Sequence, residues 1–135
     1  MSHALPGLGE LETAVLELLW DECGAGADDL SVREVTDLLA ERRPLAYTTV
    51  MTVLAHLYDK GAADRAKVGR GYRYRPARSR EDFGADALAD VLRSSGDAEK
   101  LILHFVAREG GGLDPEEAGV LRRITSRMRG GGRAG

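Results

Sequence analysis

The chain has a single cysteine, Cys23, among 135 residues. One cysteine excludes an internal disulfide and fits a reducing compartment. No apolar run approaches the ~18 residues of a membrane span, so no membrane insertion is expected. The start, Met1 to Pro6, lacks the basic opening and apolar core of a secretion signal, and the expected location is cytoplasmic. Catalytic signatures are missing too. His3, His56 and His104 lie far apart with no metal-ligand spacing, so neither a metal nor a cofactor is expected. Gly69-Arg70-Gly71 is too short for a phosphate loop and precedes a strand pattern, whereas such loops precede helices. There is no Gly-x-Ser-x-Gly elbow. The expectation is a protein that is not an enzyme.

What is present is a soluble, globular composition, 43% hydrophobic and 30% charged. The net charge of −3 argues against a nucleic-acid partner if the charges are spread evenly, and they are not. The organising stretch runs from Ala46 to Gly61. At 100° per residue it places Ala46, Val50, Val53, Leu54 and Leu57 on one side as a core stripe. Thr48, Thr52, Ala55 and Asp59 lie opposite, with Thr49, Met51 and His56 on the shoulders. Short β-branched residues lower helix propensity, and their concentration on an outer face needs another reason. A helix laid in a DNA major groove supplies one, since hydroxyls reach base edges and methyls meet the thymine methyl. An ordinary amphipathic helix with a threonine-rich surface is the plain alternative.

Before this stretch, Leu11, Val15, Leu18 and Leu19 mark a first helix closed by Trp20, with Glu10, Glu12 and Glu17 outward. Gly24 to Asp29 reads as an acidic loop. Ser31-Val32-Arg33-Glu34 is a capping box opening a second helix, with stripe Val32, Val35, Leu38 and Leu39, ended at Arg42-Arg43-Pro44. After Gly61 the period changes from 3.6 to 2: Arg65 to Val68 and Tyr72 to Arg75 alternate around Gly69-Arg70-Gly71. This predicts a β-hairpin with Arg70 at its tip. From Arg65 to Arg80 there are seven cations and no acid. A basic hairpin beside a helix-turn-helix is the wing of a winged helix, with Arg70 placed for a minor groove and other cations for phosphates. The candidate DNA contacts before the hairpin are Arg43, Ala46, Tyr47, Thr48, Thr49, Met51, Thr52, His56 and Lys60. In the hairpin they are Lys67, Arg70, Tyr72 and Arg73.

Three short helices follow. Ser79-Arg80-Glu81-Asp82 caps one with Phe83, Ala87, Val91 and Leu92 apolar, and it breaks at Ser94-Ser95-Gly96. Asp97 caps the next, with Leu101, Ile102, Phe105 and Val106. After Gly110-Gly111-Gly112, Asp114 and Pro115 open the last, with stripe Val120, Leu121, Ile124 and Met128. Fewer than ~60 residues make a poor core alone. The expected partner is a second copy, meeting through Phe83, Val91, Leu101, Ile102, Phe105, Val120, Leu121, Ile124 and Met128, because helix-turn-helix proteins read paired half-sites by two-fold symmetry. The expected fold is mainly α with a small β-hairpin wing (α+β). A winged helix-turn-helix spans residues 1–78, a helical dimerisation domain 79–129, and a disordered tail 130–135.

Ala46-Tyr47-Thr48-Thr49-Val50-Met51-Thr52-Val53-Leu54 is similar to the recognition-helix signature of the BlaI/MecI/CopY-type penicillinase repressors. The resemblance takes in Leu11 to Trp20, Val32-Arg33-Glu34-Val35, Lys60-Gly61, Gly69-Arg70, Tyr72-Arg73-Tyr74 and Ser79-Arg80-Glu81, from Leu8 to about Met128. It implies a repressor that binds double-stranded DNA operators with TACA/TGTA dyads as a homodimer. It also implies release by proteolysis in the C-terminal domain, triggered by a β-lactam-sensing membrane metalloprotease. Two departures matter. The paired Cys-x-Cys motifs of the copper-responsive branch are missing, which excludes copper sensing through them. The bond cut in staphylococcal members, between Asn and Phe, falls at His104-Phe105, with histidine in place of asparagine; Gly110 to Gly112 is another accessible segment. Two rival readings are a winged helix that docks on protein, which would tolerate loss of the threonine face, and a repressor released by a small effector. For the second, Phe83 and Phe105 are the only aromatics after Ser79, leaving little to line a pocket.

Overall fold

A computed structural model describes residues 4–131. Its elements are α1 (Glu10–Gly24), β1 (Leu30–Ser31), α2 (Val32–Leu39), α3 (Tyr47–Asp59), β2 (Ala63–Val68), β3 (Gly71–Pro76), α4 (Arg80–Ser94), α5 (Ala98–Arg108) and α6 (Pro115–Gly131). The chain forms two compact units that divide between Phe83 and Gly84.

In the first unit, the apolar stripes of α1, α2 and α3 converge on one core. Val15, Leu16, Leu19, Val35, Val50, Leu54 and Leu57 are fully buried. Truncating any one of these leucines to alanine costs about 2–5 kcal/mol. The sheet closes the core: β2 and β3 form an antiparallel hairpin, and β1 adds to the free edge of β3, giving the order β1-β3-β2. Tyr74, the central residue of β3, is buried and faces both Leu30 of β1 and Arg65 of β2 in register. The hairpin turns tightly, with Val68 opposite Gly71. Gly69 has φ 63° and, among the described residues, no non-glycine residue is left-handed, the pattern of a type II′ turn. Three helices followed by a β-hairpin in this order are a winged helix-turn-helix.

Several local expectations are met. Ser31 Oγ accepts from the Glu34 N–H at 3.1 Å while Glu34 Oε1 accepts from the Ser31 N–H at 2.8 Å, closing the capping box. Ser79 Oγ caps α4 through the Asp82 N–H, Asp97 caps α5 through the Lys100 N–H, and Asp114 caps α6 through the Glu117 N–H. Others are corrected. Helix α1 continues past Trp20 to Gly24, and α2 ends at Leu39, before the Arg42-Arg43-Pro44 stop. Ala46 is the exposed N-cap of α3 and takes no part in the core. Strand β1 was not expected at all. Glu12 does not point outward: it is buried, for reasons given below.

The Phe83 ring packs edge-on against Trp20 with centroids 5.6 Å apart, and the Trp20 indole N–H donates to the Arg78 carbonyl at 2.9 Å. Phe83, expected at a dimer contact, thus joins the first core, and the division falls after it and not after Arg78. In the second unit Leu92 and Thr125 are buried, and Thr125 Oγ1 donates to the Leu121 carbonyl at 3.0 Å. Leu101, Ile102, Val106, Leu121 and Met128 are half-buried, and Arg122 pairs with Glu99 at 3.5 Å to tie α6 to α5. Leu88, Val91, Leu103, Phe105, Val120 and Ile124 remain exposed. Of the expected tail 130–135, Gly130 and Gly131 belong to α6; residues 132–135, like Met1 to His3, lie outside the described residues.

Candidate nucleic-acid interface

Helix α3 begins without a side-chain cap, because the N-cap is Ala46, and its first turn carries no acid. The amide groups of that turn are therefore left for a partner from outside, the arrangement that favours an anion at a helix start. Tyr47, Thr48, Met51, Thr52 and His56 are exposed along the same helix, and Thr49 is half-buried. Thr48, Thr49, Thr52 and His56 border a groove whose other wall is the start of α1, from Gly9 to Glu12. The core stripe of Val50, Val53, Leu54 and Leu57 fixes the rotation of α3, so the threonine face is turned outward by the burial on its back. Arg33, in the first turn of α2, stacks its guanidinium over the Tyr47 ring at 4.8 Å from the centroid.

The cations separate into two groups. Three of those expected on DNA are bound by carboxylates of the protein itself. Arg43 pairs with Glu10. Lys60 donates to Glu12 Oε1 at 2.7 Å and to the Gly7 carbonyl at 3.2 Å. Arg73 donates through Nε to Asp29 Oδ1 at 2.6 Å and through Nη2 to Glu34 Oε1 at 2.9 Å. The Arg73 pairs join the loop before β1, the start of α2 and strand β3. Lys67 and Arg70, by contrast, are exposed at the far end of the hairpin and have no carboxylate partner among the described residues. Tyr72 is exposed beside them.

The acids respond to this pairing. Burial pushes the Glu12 carboxyl up, but the Gly9 N–H at 2.7 Å and the Lys60 ammonium outweigh it and hold the group below its ordinary value. The Ser31 N–H, aided by Arg73, holds Glu34 below its ordinary value. The bond to Asp29, with Glu34 close by, pushes Arg73 up. Burial, with Asp29 and Asp28 nearby, pushes the Cys23 thiol up. No cluster of three or more metal-ligating side chains occurs among the described residues.

Sequence reading missed Glu12, Asp29 and the place of Arg33. Only Arg33 carried a local signal, as an exposed cation one residue before the glutamate of a capping box. The partners of Glu12 and Asp29 lie 48 and 44 residues away in the chain.

An uncapped helix with a short polar outer face, flanked by a hairpin with free cations at its end, defines a winged-helix protein. A family model described as penicillinase repressor matches residues 8–127. Two curated relatives, both named transcriptional regulator BlaI and from Mycobacterium tuberculosis strains CDC 1551 / Oshkosh and ATCC 25618 / H37Rv, are each 37% identical over 130 residues. The match covers 94% of this chain and 88% of theirs. Among solved structures, the DNA-binding domain of the repressor BlaI is 26% identical with a TM-score of 0.48, over 61% of this chain and 93% of that one. The monomeric BlaI of Bacillus licheniformis in complex with the blaP half-operator is 25% identical with a TM-score of 0.45, over 58% and 90%. This chain belongs to the penicillinase repressor family. It is a transcriptional repressor and not an enzyme.

Proposed function

We propose that the protein acts as a homodimer on dyad operators of the TACA/TGTA type, each copy laying α3 in a major groove with Arg70 and Lys67 on the flanking backbone. The observation that carries this reading is the contrast between the two sets of cations. The protein neutralises Arg43, Lys60 and Arg73 with its own acids, yet leaves the end of the wing free beside an uncapped helix. A single winged helix covers only a few base pairs, too few to single out one operator among the ~10⁶–10⁹ competing sites of a genome. Two linked copies multiply the discrimination. The exposed Leu88, Val91, Leu103, Phe105, Val120 and Ile124 support pairing through the second unit, since such residues lose most by facing water.

The family resemblance supports release by proteolysis in the second unit, with a membrane sensor protease as the agent and the cytoplasm as the compartment. His104 and Phe105 are both exposed but lie within α5, whereas Gly110 to Gly112 lies outside any helix. The glycine segment is therefore the easier target. No helix among the described residues is long and apolar enough to cross a membrane. The test is selection of genomic fragments by the purified full-length protein, together with sedimentation at increasing concentration. Enrichment of a two-fold symmetric sequence by a dimer is expected. Fragments with no shared sequence, or a monomer throughout, would overturn the proposal.

A further inference from the structure

The geometry points to Arg65 as a positioning residue that clamps the wing to the carboxyl end of α3, so that the wing end and the threonine face meet one duplex in fixed register. This rests on the DNA reading proposed above. Tyr74 is the last deeply buried residue of the hairpin; Lys67 to Tyr72 are all exposed. A two-stranded hairpin with no packed face is marginally ordered at best. At the boundary, in register with Tyr74, stands Arg65. Its guanidinium lies 4.0 Å from the Tyr58 ring centroid and 4.0 Å from that of Tyr72, and Nη1 donates to the Tyr74 hydroxyl at 3.4 Å. Tyr58 belongs to the last turn of α3 and Tyr72 to β3, so one planar cation joins the reading helix to the wing. Arg65 has no carboxylate partner among the described residues, and the sequence pattern alone would count it as a phosphate contact. Two flat faces are what this position uses, and an ammonium has none.

Arg65→Lys separates the two roles, because lysine keeps the charge and remains a good phosphate partner. Binding is measured on a duplex carrying the TACA/TGTA dyad and on a scrambled duplex of the same composition, across a salt series. The expected result is an affinity for the dyad duplex about tenfold lower, the size of one lost specific contact, with the scrambled duplex and the salt slope unchanged. Tyr58→Leu should reproduce this and Tyr58→Phe should not. In the free protein, the Arg65 Nε–H resonance should be shifted upfield by the two rings, and Tyr58→Leu should move it back. Unchanged affinity of Arg65→Lys for both duplexes, or equal loss on both, would overturn the clamp, and so would an unshifted Nε–H in the wild type. A wild type that does not prefer the dyad duplex would sink the DNA reading itself, and the resonance alone would then report whether the stack exists.

Discussion

Replacing Lys60 by methionine tests whether this cation braces the protein or touches DNA. The substitution keeps the length of the side chain and removes only the ammonium. Glu12 is then left nine-tenths covered with the Gly9 N–H as its remaining donor, since its side chain is 11% exposed. A hydrogen bond to a charged group is worth about 1.5–3 kcal/mol net. The Lys60 end is 45% exposed, where solvent screens the pair, which brings the loss to about 1–2 kcal/mol. For a domain of this size that is a fall in Tm of roughly 5–10 °C. The loss should depend on pH with a defined sign. Glu12 is held below its ordinary value in the fold, so its contribution is complete above the ordinary carboxylate range and disappears as pH falls through the folded value. The gap between wild type and variant, followed by circular dichroism, should therefore close on acidification. DNA binding should keep its salt slope. Equal melting at neutral pH, or a gap that persists once Glu12 is protonated, would refute the brace. A slope lower by about 0.9 would place Lys60 on a phosphate instead.

Thr48→Ala and Thr52→Ala should each weaken operator binding by roughly 1–3 kcal/mol while leaving scrambled duplex unaffected, as read by competition titration. Arg70→Ala should lower the slope of log K against log salt by about 0.9, whereas Arg73→Ala should lower Tm with the slope unchanged, because its partners are Asp29 and Glu34. Truncation after Phe83 should give a folded monomer by sedimentation that binds half-sites without regard to dyad spacing. Truncation after Arg78 should melt lower, because Trp20 then loses the Phe83 ring.

The helices, their caps and the wing were legible because each depends on residues within a turn or two of one another. Serine and glutamate three apart announce α2, and alternation around Gly69-Arg70-Gly71 announces the hairpin. Strand β1 has two residues, too few to show any period, and exists only because β3 offers it an edge. Glu12 looked outward because carboxylates usually are; Lys60, contributed from the other end of α3, is what makes its burial tolerable. The same blindness to distant partners hid the pairing of Arg43, Lys60 and Arg73 with Glu10, Glu12, Asp29 and Glu34. Charge along the sequence shows how many cations there are, but not which are already neutralised. The threonine face needed no such partner, and its outward position followed from the apolar stripe behind it.

The bond between His104 and Phe105 lies inside an eleven-residue helix that has no fully buried residue. Proteases cut extended chain, so any cut at this bond waits for α5 to unwind, and helices this short hold together weakly alone. When opening is fast beside cutting, the half-life of the intact protein follows the open fraction, and every 1.4 kcal/mol added to α5 lengthens it about tenfold. Residues remote from the scissile bond, such as the Asp97 cap, would then set how long the molecule lasts. The helix would behave as a timer.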